Sequence, residues 1–424
     1  MKVIARDAYL ARIRKVMGNG LVKIITGIRR CGKSFFLFHI FRDYLLSTGV
    51  SDDQIVEVHL DEDDFESLRS PRVLSAYIKE RLLKDGRTTY VFIDEIQECK
   101  PRHGDKLTFY DVLSSLMKKA DVYVTGSNSE MLSDDVATNF RDRGTVIRMW
   151  PLSFSEYYGM GEKDKADAWE DYLVWGGMPL AVLAPDDGMR EDYLRELFER
   201  VYFADIVERH SLRGDATLRA VCDVLTSAVG GFTNAKKISD TLKSALKVSA
   251  SPLTVGNYLE HFRKSFLFEK AVRWDVKGRR YLDGNAKFYC VDTGLRNARL
   301  NFRQVERTHL MENAVYCELV RRGHSVDVGV INSVGKCNGK SVRLDYEVDF
   351  VVNRGARRVY VQSAFDISGE RKEETEKRSL LMTGDFFRKI IVTGGNEHPT
   401  IDDDGIVHVG VIPFMLNEEI LGLT

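Results

Sequence analysis

An eight-residue loop between two apolar runs constrains the fold of this chain most. Residues 27–34 read GIRRCGKS, which fits the pattern G-x-x-x-x-G-K-[ST]. The run LVKIITG (21–27) is typical of a buried parallel strand, and SFFLFHIFRDYLL (34–46) is typical of a helix. A strand, a glycine-containing turn and a helix in this order predict a phosphate-binding loop, because the turn N–H groups and the helix N-terminus face one anion.

The residues of this loop have separate expected roles. Lys33 would reach the β- and γ-phosphates, and the Ser34 hydroxyl would ligate Mg²⁺. The expected ligands are therefore ATP and Mg²⁺, and the residues expected to contact the nucleotide are Gly27, Ile28, Arg29, Arg30, Cys31, Gly32, Lys33 and Ser34. A glycine-rich turn that binds no nucleotide is the alternative.

The pattern along the chain predicts an α/β fold built on a parallel sheet. Short apolar runs at 54–60, 88–95, 120–127 and 145–150 alternate with helical patterns. Residues 159–275 then read mostly as helices, and from about 310 a helix is followed by strands. A chain of 424 residues is long enough for two or three domains. We expect a P-loop ATPase domain at 1–158, a helical domain at 159–300 and a second α/β domain at 301–424.

The run YVFIDE (90–95) supplies the acidic partner that a phosphate-binding loop needs. Four apolar residues predict a buried strand, and ligands bind at the carboxyl ends of such strands. Asp94 is expected to hold the water shell of Mg²⁺, and Glu95 to polarise the attacking water. Strands also commonly end in acidic turns without any such role, but the phosphate-binding loop upstream favours the catalytic interpretation.

Polar side chains after the next apolar run are candidates for orienting that water. The run VYVTGSNSEML (122–132) predicts another buried strand that ends near Asn128. Asn128 is our candidate, with Thr125 and Ser127 as rivals. Asn and Ser also form ordinary turns, so a purely local role is the alternative.

Three arginines follow in NFRDRGTVIRM (139–149). A guanidinium beside the γ-phosphate accelerates hydrolysis, and Arg143 is our candidate, ahead of Arg141 and Arg148. A surface arginine paired with a carboxylate is the alternative. Arg143 would act either within its own chain or, in a homo-oligomer, from a neighbouring subunit.

Composition limits the partners and the compartment. The net charge of −1 gives no overall attraction to nucleic acid or membrane, so such a contact needs a local patch. The six cysteines form no C-x-x-C pair, which favours a reducing compartment and no structural zinc. The sequence has neither an N-terminal apolar signal region nor an apolar stretch long enough to span a membrane, so we expect a cytoplasmic protein without a membrane partner.

The order of motifs resembles the bacterial and archaeal AAA-plus-type ATPases that carry an RRxGKS loop. The resemblance covers nearly the whole chain and rests on TGIRRCGKS, FIDEIQE, VTGSNSEML, FRDRG, PLSFSEYY, YLVWGGMP, YFADIVERH, TVGNYLEHF, KFYCVDTGLRN, MENAVYCELVRRG and EVDFVV. It implies an ATPase sheet, a winged-helix-like segment and a fold like that of the PD-(D/E)xK nucleases. FRDRG departs from the pattern, with Asp142 where the resemblance implies glycine.

The middle of the chain is compatible with a winged helix on its own residues. Residues 234–282 contain a helix, a Ser-Pro turn, a second helix from near Thr254, an apolar strand and a basic turn at 277–280. The second helix could enter a major groove of DNA while the basic turn touches phosphates. A winged helix used only for packing or for protein contacts is the alternative.

The C-terminal residues predict an inactive nuclease-like domain. The implied site needs a helical Glu, a strand Asp and then Glu-x-Lys, and Glu312 and Asp349 fill the first two places. Gln362 replaces the acid of the third strand and Ala364 replaces the lysine. We therefore expect a degenerate site and a binding or assembly role for this domain. For EVDFVV alone, an edge strand with solvated acids is the alternative.

These features favour a Mg²⁺-dependent ATPase that acts as a switch or motor, with C-terminal domains that bind a macromolecule, DNA being the candidate. One alternative is a nucleotide-sensing scaffold that hydrolyses ATP rarely and assembles with proteins. The other alternative is a metal-dependent nuclease, which Gln362 and Ala364 disfavour.

Overall fold

A computed structural model describes residues 3–101, 106–127, 143–161, 163–209, 215–337, 340–367 and 369–423. The chain divides into two compact units. The first consists of Met1–Pro151 with Lys264–Phe266, and the second consists of Leu152–Arg263 with Leu267–Thr424.

Parallel strands form the centre of the first unit, as the alternating apolar runs predict. The described strands are β1 (Val22–Thr26), β2 (Ile55–His59), β3 (Tyr90–Asp94), β4 (Asp121–Gly126) and β5 (Gly144–Arg148), in the spatial order β2-β3-β4-β1-β5. All neighbouring pairs are parallel. Every residue of β1 is buried, as is typical of an interior strand in a parallel sheet with both faces covered. The fold is that of a P-loop NTPase.

Among the described helices of the first unit, α1 (Asp7–Arg14) precedes β1. The others connect successive parallel strands: α2 (Lys33–Phe35, continued by the wider turns of Phe36–Phe41 and by Arg42–Ser47), α3 (Pro71–Arg81) and α4 (Phe109–Leu116). Short 3₁₀ turns occupy Asp52–Gln54, Asp63–Arg69 and Ile96–Glu98.

One ion pair lies inside the first sheet. Lys23 on β1 is fully buried and its ammonium group contacts the Asp121 carboxylate, which also accepts a hydrogen bond of 2.7 Å from the Tyr123 hydroxyl. The backbone N–H of Gly18 donates to the same carboxylate at 2.9 Å. These partners compensate the desolvation of a charge that interrupts the apolar run of β1.

The second unit begins with helices. They are α5 (Phe154–Tyr158), α6 (Lys165–Trp175), α7 (Pro179–Val182), α8 (Asp187–Glu196, continued by Leu197–Phe203 and Ala204–Arg209), α9 (Asp215–Ser227), α10 (Ala235–Ala245) and α11 (Pro252–Lys264). Further along the chain come α12 (Thr293–Arg299), α13 (Arg307–Arg321), α14 (Glu370–Leu381), α15 (Val411–Leu416) and a 3₁₀ turn at Glu418–Leu421.

A long mixed sheet joins the hairpin after α11 to the C-terminal strands. Its strands are β6 (Phe268–Asp275), β7 (Arg280–Cys290), β8 (Ser325–Cys337), β9 (Lys340–Arg354), β10 (Arg357–Ala364), β11 (Arg388–Thr393), β12 (Thr400–Ile401) and β13 (Val407–Gly410). The spatial order is β12-β13-β11-β10-β9-β8-β6-β7. Strand β6 is parallel to β8, from Arg273↔Val328 to Asp275↔Val330.

This sheet includes strands from both sides of residue 300, where we expected a domain boundary. Val276, at the turn of the hairpin, donates its N–H to Val330 O at 3.0 Å and packs with Ile331 and Val348 in the core of the sheet. Burial of the apolar Val276 side chain lowers the free energy of the folded state, so this contact holds the hairpin in the C-terminal sheet.

Among the described helices, none combines the length and the apolar composition that crossing a membrane requires.

Candidate functional site

The loop of residues 27–34 has the backbone of a phosphate cradle. Gly27 has φ of 148°, and a Cβ there would lie 2.1 Å from Met149 O. Gly32 has φ of 98°, so both glycines adopt conformations that other residues rarely reach. Lys33 is buried, and its ammonium group donates to Gly27 O and Ile28 O at 3.1 Å each. The loop therefore folds around its own lysine and keeps that charge beside the turn N–H groups.

The other loop positions divide into packed and accessible ones. Ile28 and Cys31 are buried, so only their backbone can face a ligand. Arg29 Nε donates to Ser127 Oγ at 3.4 Å, which links the loop to the end of β4. Arg30 is exposed, with φ of 65°.

Ser34, Asp94 and Thr125 form a contiguous polar group at the carboxyl edge of the sheet. Ser34 Oγ donates to Asp94 Oδ1 at 2.9 Å, and the Thr125 hydroxyl also donates to Asp94. Burial raises the pKa of Asp94 above its usual range, while the hydrogen bonds from Thr125 and Ser34 oppose that rise. A hydroxyl and a carboxylate held together in this way form the oxygen-donor set that Mg²⁺ prefers.

Glu95 adopts a strained conformation next to this group. It has φ of 46°, in the left-handed region, and its N–H donates to Thr125 Oγ1 at 2.9 Å. Its carboxylate accepts from Ser127 Oγ at 3.1 Å and from the Gln97 amide. The strain and these bonds fix the carboxylate beside the phosphate loop.

The residues at this edge of the sheet are suited to bind Mg²⁺ and a nucleoside triphosphate. The cradle at Gly27 leaves no room for a side chain, Lys33 supplies a positive charge, and Ser34 with Asp94 supplies oxygen donors. Mg²⁺ would neutralise phosphate charge when bound there.

The structure separates the arginine candidates. The pairing of β1 with β5 runs from Val22↔Gly144 to Thr26↔Arg148, so Arg143 lies at the amino edge of the sheet. Five residue steps of about 3.3 Å separate Arg143 from Arg148 at the loop edge, which is too far for a guanidinium of the same chain. Arg148 lies at the loop edge, with its guanidinium 4.2 Å from the Trp150 ring and 4.7 Å from the Phe266 ring. Asn128 and Arg141 lie outside the described residues.

In the second unit, the structure brings together the residues named for the nuclease-like site. Glu312 on α13, Asp349 on β9 and Gln362 on β10 are buried near one another, and Gln362 Oε1 accepts the N–H of Asp349 at 3.2 Å. Lys287 on β7 lies among them, its ammonium group 2.8 Å from Glu312 and 3.4 Å from Asp349. Glu347 on β9 lies 2.6 Å from the same group.

The residues of this cluster do not fit the divalent cation that a nuclease site implies. The position on which the carboxylates converge holds the Lys287 ammonium, and a second cation there would repel it. In the described ranges, no group of three or more His, Cys, Asp or Glu side chains is arranged to hold a metal ion. Ala364, at the lysine position of the motif, is buried and apolar.

Lys287, Glu347 and Gln97 are the site residues that the sequence interpretation missed. Lys287 had a usable signal, since it interrupts the apolar run AKFYCV (286–291) and a charge at such a place needs buried partners. Glu347 lies two residues before Asp349 and therefore on the same face of β9. Gln97 had no comparable signal. Its amide reaches the Glu95 carboxylate in a backbone with the left-handed conformation of Glu95, which the sequence does not reveal.

Comparison with known families agrees with the first unit. Residues 19–158 match the model of an AAA domain, and residues 166–306 match that of a domain of unknown function. The parallel sheet, the phosphate cradle and this match define an AAA-type P-loop domain.

The chain also has relatives along nearly its full length. An uncharacterized protein of Haemophilus influenzae is 31% identical over 421 residues, which is 98% of this chain and 99% of the relative. An uncharacterized protein of Methanocaldococcus jannaschii is 27% identical over 436 residues, with 97% and 90% covered. The chain belongs to the family of the Haemophilus influenzae protein.

Similarity to solved structures is much weaker. The Aeropyrum pernix ORC1 protein in complex with DNA has a TM-score of 0.32 at 13% identity, covering 71% of this chain and 93% of that one. The replication initiator DnaA bound to AMPPCP and single-stranded DNA has a TM-score of 0.32 at 14% identity, covering 62% and 91%. Scores of this size support no conclusion about ligands or partners.

The Thr125–Asp94 hydrogen bond leads to a prediction about pH. Asp94 would have to be ionised to hold Mg²⁺, and the hydrogen bond from the Thr125 hydroxyl lowers the pKa of Asp94. Thr125→Val removes that hydroxyl, so we expect the pKa of Asp94 to rise and the acidic limb of the pH–rate profile of ATP turnover to move to higher pH. Thr125→Ser keeps the hydroxyl and should keep the wild-type limb. The same acidic limb in all three proteins would contradict this role.

Proposed function

We propose that the protein is a Mg²⁺-dependent ATPase that acts as a switch or motor, and that its second unit binds a macromolecule. The observation that carries the proposal is the Ser34–Asp94 hydrogen bond of 2.9 Å beside the buried Lys33 ammonium. A cation held by Ser34 and Asp94 would lie next to phosphates held by the loop. Glu95, adjacent to Asp94, is the base that would polarise the attacking water.

A nucleotide-sensing scaffold with rare turnover is the second candidate. The observation that favours it is the restraint on Glu95, whose carboxylate accepts from both Ser127 and Gln97. A base held by two donors has less freedom to take a proton from water. Under this proposal, Glu95 would be released only when a partner binds.

DNA is the macromolecule that the second unit suits best. The proposal of a winged helix is supported by the order of elements: α9, an isolated bridge Thr233↔Ala286, α10, α11 and the β6–β7 hairpin. Exposed basic side chains cluster on α10 and on the hairpin turn: Lys236, Lys237, Lys243, Lys277, Arg279 and Arg280. The net charge of −1 makes such a local patch necessary for phosphate contact.

Substitutions of Lys33 and Glu95 should separate ATP binding from hydrolysis. Lys33→Ala should abolish tight ATP binding, because it removes the charge that neutralises the phosphates. Glu95→Gln should keep ATP binding and lower turnover at least about a hundredfold. Nucleotide titration and phosphate release, each with and without DNA, measure both effects. Wild-type turnover in the Glu95→Gln protein would contradict the base assignment, and slow turnover that DNA raises several-fold would favour the partner-released scaffold.

The second prediction concerns DNA. Lys236→Ala with Lys243→Ala removes two exposed charges one heptad apart on α10. If both contact phosphates, the affinity for duplex DNA should fall and the slope of log K against log salt should decrease by about 2. The matched control, Lys118→Ala with Lys119→Ala, removes two exposed lysines of the first unit. Equal losses in the two double variants would point to a general charge effect and contradict the patch.

The third prediction concerns Arg143, which would complete the site of a neighbouring subunit. Arg143→Ala should lower turnover about a hundredfold or more with little loss of ATP affinity. Turnover per chain should rise with wild-type concentration, and mixing the Arg143→Ala and Lys33→Ala proteins should partly restore activity. Near-normal turnover in Arg143→Ala would make this arginine a surface residue.

A further inference from the structure

The carboxylate cluster of the second unit is built around a cation that belongs to the chain. Lys287 extends from β7, Glu312 from α13, and Glu347 and Asp349 from one face of β9. The Lys287 ammonium lies 2.6 Å from Glu347, 2.8 Å from Glu312 and 3.4 Å from Asp349. Two elements, α13 and β9, therefore place three carboxylates around the ammonium group of a lysine from a third element, β7.

The carboxylates of Glu312 and Asp349 also accept hydrogen bonds from other donors. The Tyr289 hydroxyl donates to Glu312 Oε1 at 2.8 Å, and the N–H of Ser363 donates to Asp349 Oδ2 at 2.9 Å. Asp349 is fixed further by its own N–H, which donates to Gln362. Such bonds fix the carboxylates in the orientation in which the ammonium group contacts them.

The cluster is closed on the side of Glu312. Gly230 has φ of 77°, and a Cβ there would lie 3.1 Å from Glu312 Oε2, so the backbone packs directly against this carboxylate. The ring of Phe232 lies 5.7 Å from the Lys287 ammonium. Lys287, Glu312 and Asp349 each keep less than a tenth of their surface exposed. A phosphodiester has no approach to these groups from this side.

Charge explains why the lysine stays protonated. Burial alone would lower the pKa of Lys287, but Asp349, Glu312 and Glu347 raise it above its usual range. Burial and the Asp349 charge raise the pKa of Glu312 to about 7, because one ammonium does not balance three carboxylates. The excess negative charge would attract a divalent cation if the lysine were absent.

We propose that the Lys287 ammonium takes the place of a divalent cation in this cluster, so that the domain carries a built-in cation instead of a metal centre. Mg²⁺ needs oxygen ligands at about 2.0–2.1 Å from one centre, and the ammonium group occupies the centre on which these oxygens converge. The ion pairs of Lys287 thus link the hairpin to α13 and β9. In a nuclease site, a metal ion bound by the carboxylates would link the elements that carry them.

The test asks whether removing the lysine creates a metal site. The full chain, free of nucleotide, is titrated with Mn²⁺ alone, and binding is followed by the paramagnetic resonance signal of free Mn²⁺ and by the unfolding temperature. Lys287→Ala should unfold at a lower temperature than the wild type. It should bind one more Mn²⁺ ion per chain than the wild type, at Mn²⁺ concentrations at least about tenfold below any at which the wild type gains that ion. Its unfolding temperature should rise again as the Mn²⁺ concentration rises. Asp349→Asn in the Lys287→Ala background should abolish that binding.

Two controls separate this effect from general damage. Lys270→Ala removes an exposed lysine from the same hairpin and should change neither stability nor Mn²⁺ binding. Lys287→Met removes the charge but fills the space, so it should lose stability without rescue by Mn²⁺. Equal rescue of the Met and Ala variants would overturn the proposal, because the metal would then bind elsewhere.

The wild-type protein provides a test that does not depend on how Lys287 variants fold. We expect wild type and Asp349→Asn to bind the same number of Mn²⁺ ions, since the cluster holds no metal. A Mn²⁺ ion that the wild type binds and Asp349→Asn does not would overturn the proposal and make Lys287 a neighbour of a real metal centre. Failure of Lys287→Ala to bind additional Mn²⁺ would overturn it as well.

Discussion

The parallel register of three strands determines what the first unit can do. Thr26 of β1 lies opposite Gly126 of β4, and Ile93 of β3 lies opposite Val124 of β4. The three strands therefore end together, and the loop after β1, the acids at the end of β3 and the hydroxyls at the end of β4 meet at one edge. A shift of one residue in either pairing would turn Asp94 or Thr125 to the opposite face and separate the Ser34–Asp94–Thr125 group.

The sequence predicts this unit well because its signals are local. A phosphate loop depends on glycines at fixed spacing, and Asp94 and Glu95 follow directly from the end of an apolar run. Arg143 shows the limit of such reasoning. Its place before β5 is clear from the sequence, but only the pairing of β5 with β1 reveals that it lies at the edge of the sheet opposite the phosphate loop.

The second unit is harder to predict because its cluster depends on contacts between distant residues. Glu312 and Asp349 fit the nuclease-like motif in the sequence. Lys287 does not belong to that motif, and it lies in the segment 159–300, which we expected to be a separate helical domain. Two buried lysines on strands, Lys23 and Lys287, interrupt apolar runs. That interruption indicates a buried ion pair, but the partner is known only after the strands are arranged, since Asp121 and Glu312 lie 98 and 25 residues away.

The pairing of β6 with β8 has a consequence for how the chain can be divided. A fragment that ends at residue 300 would lose β8 and leave β6 as an open edge, with the N–H of Val276 unpaired and its side chain in water. Unprotected edges of this kind associate with other strands, so such a fragment would be prone to aggregate. The hairpin and the C-terminal strands are therefore best produced as one piece of protein.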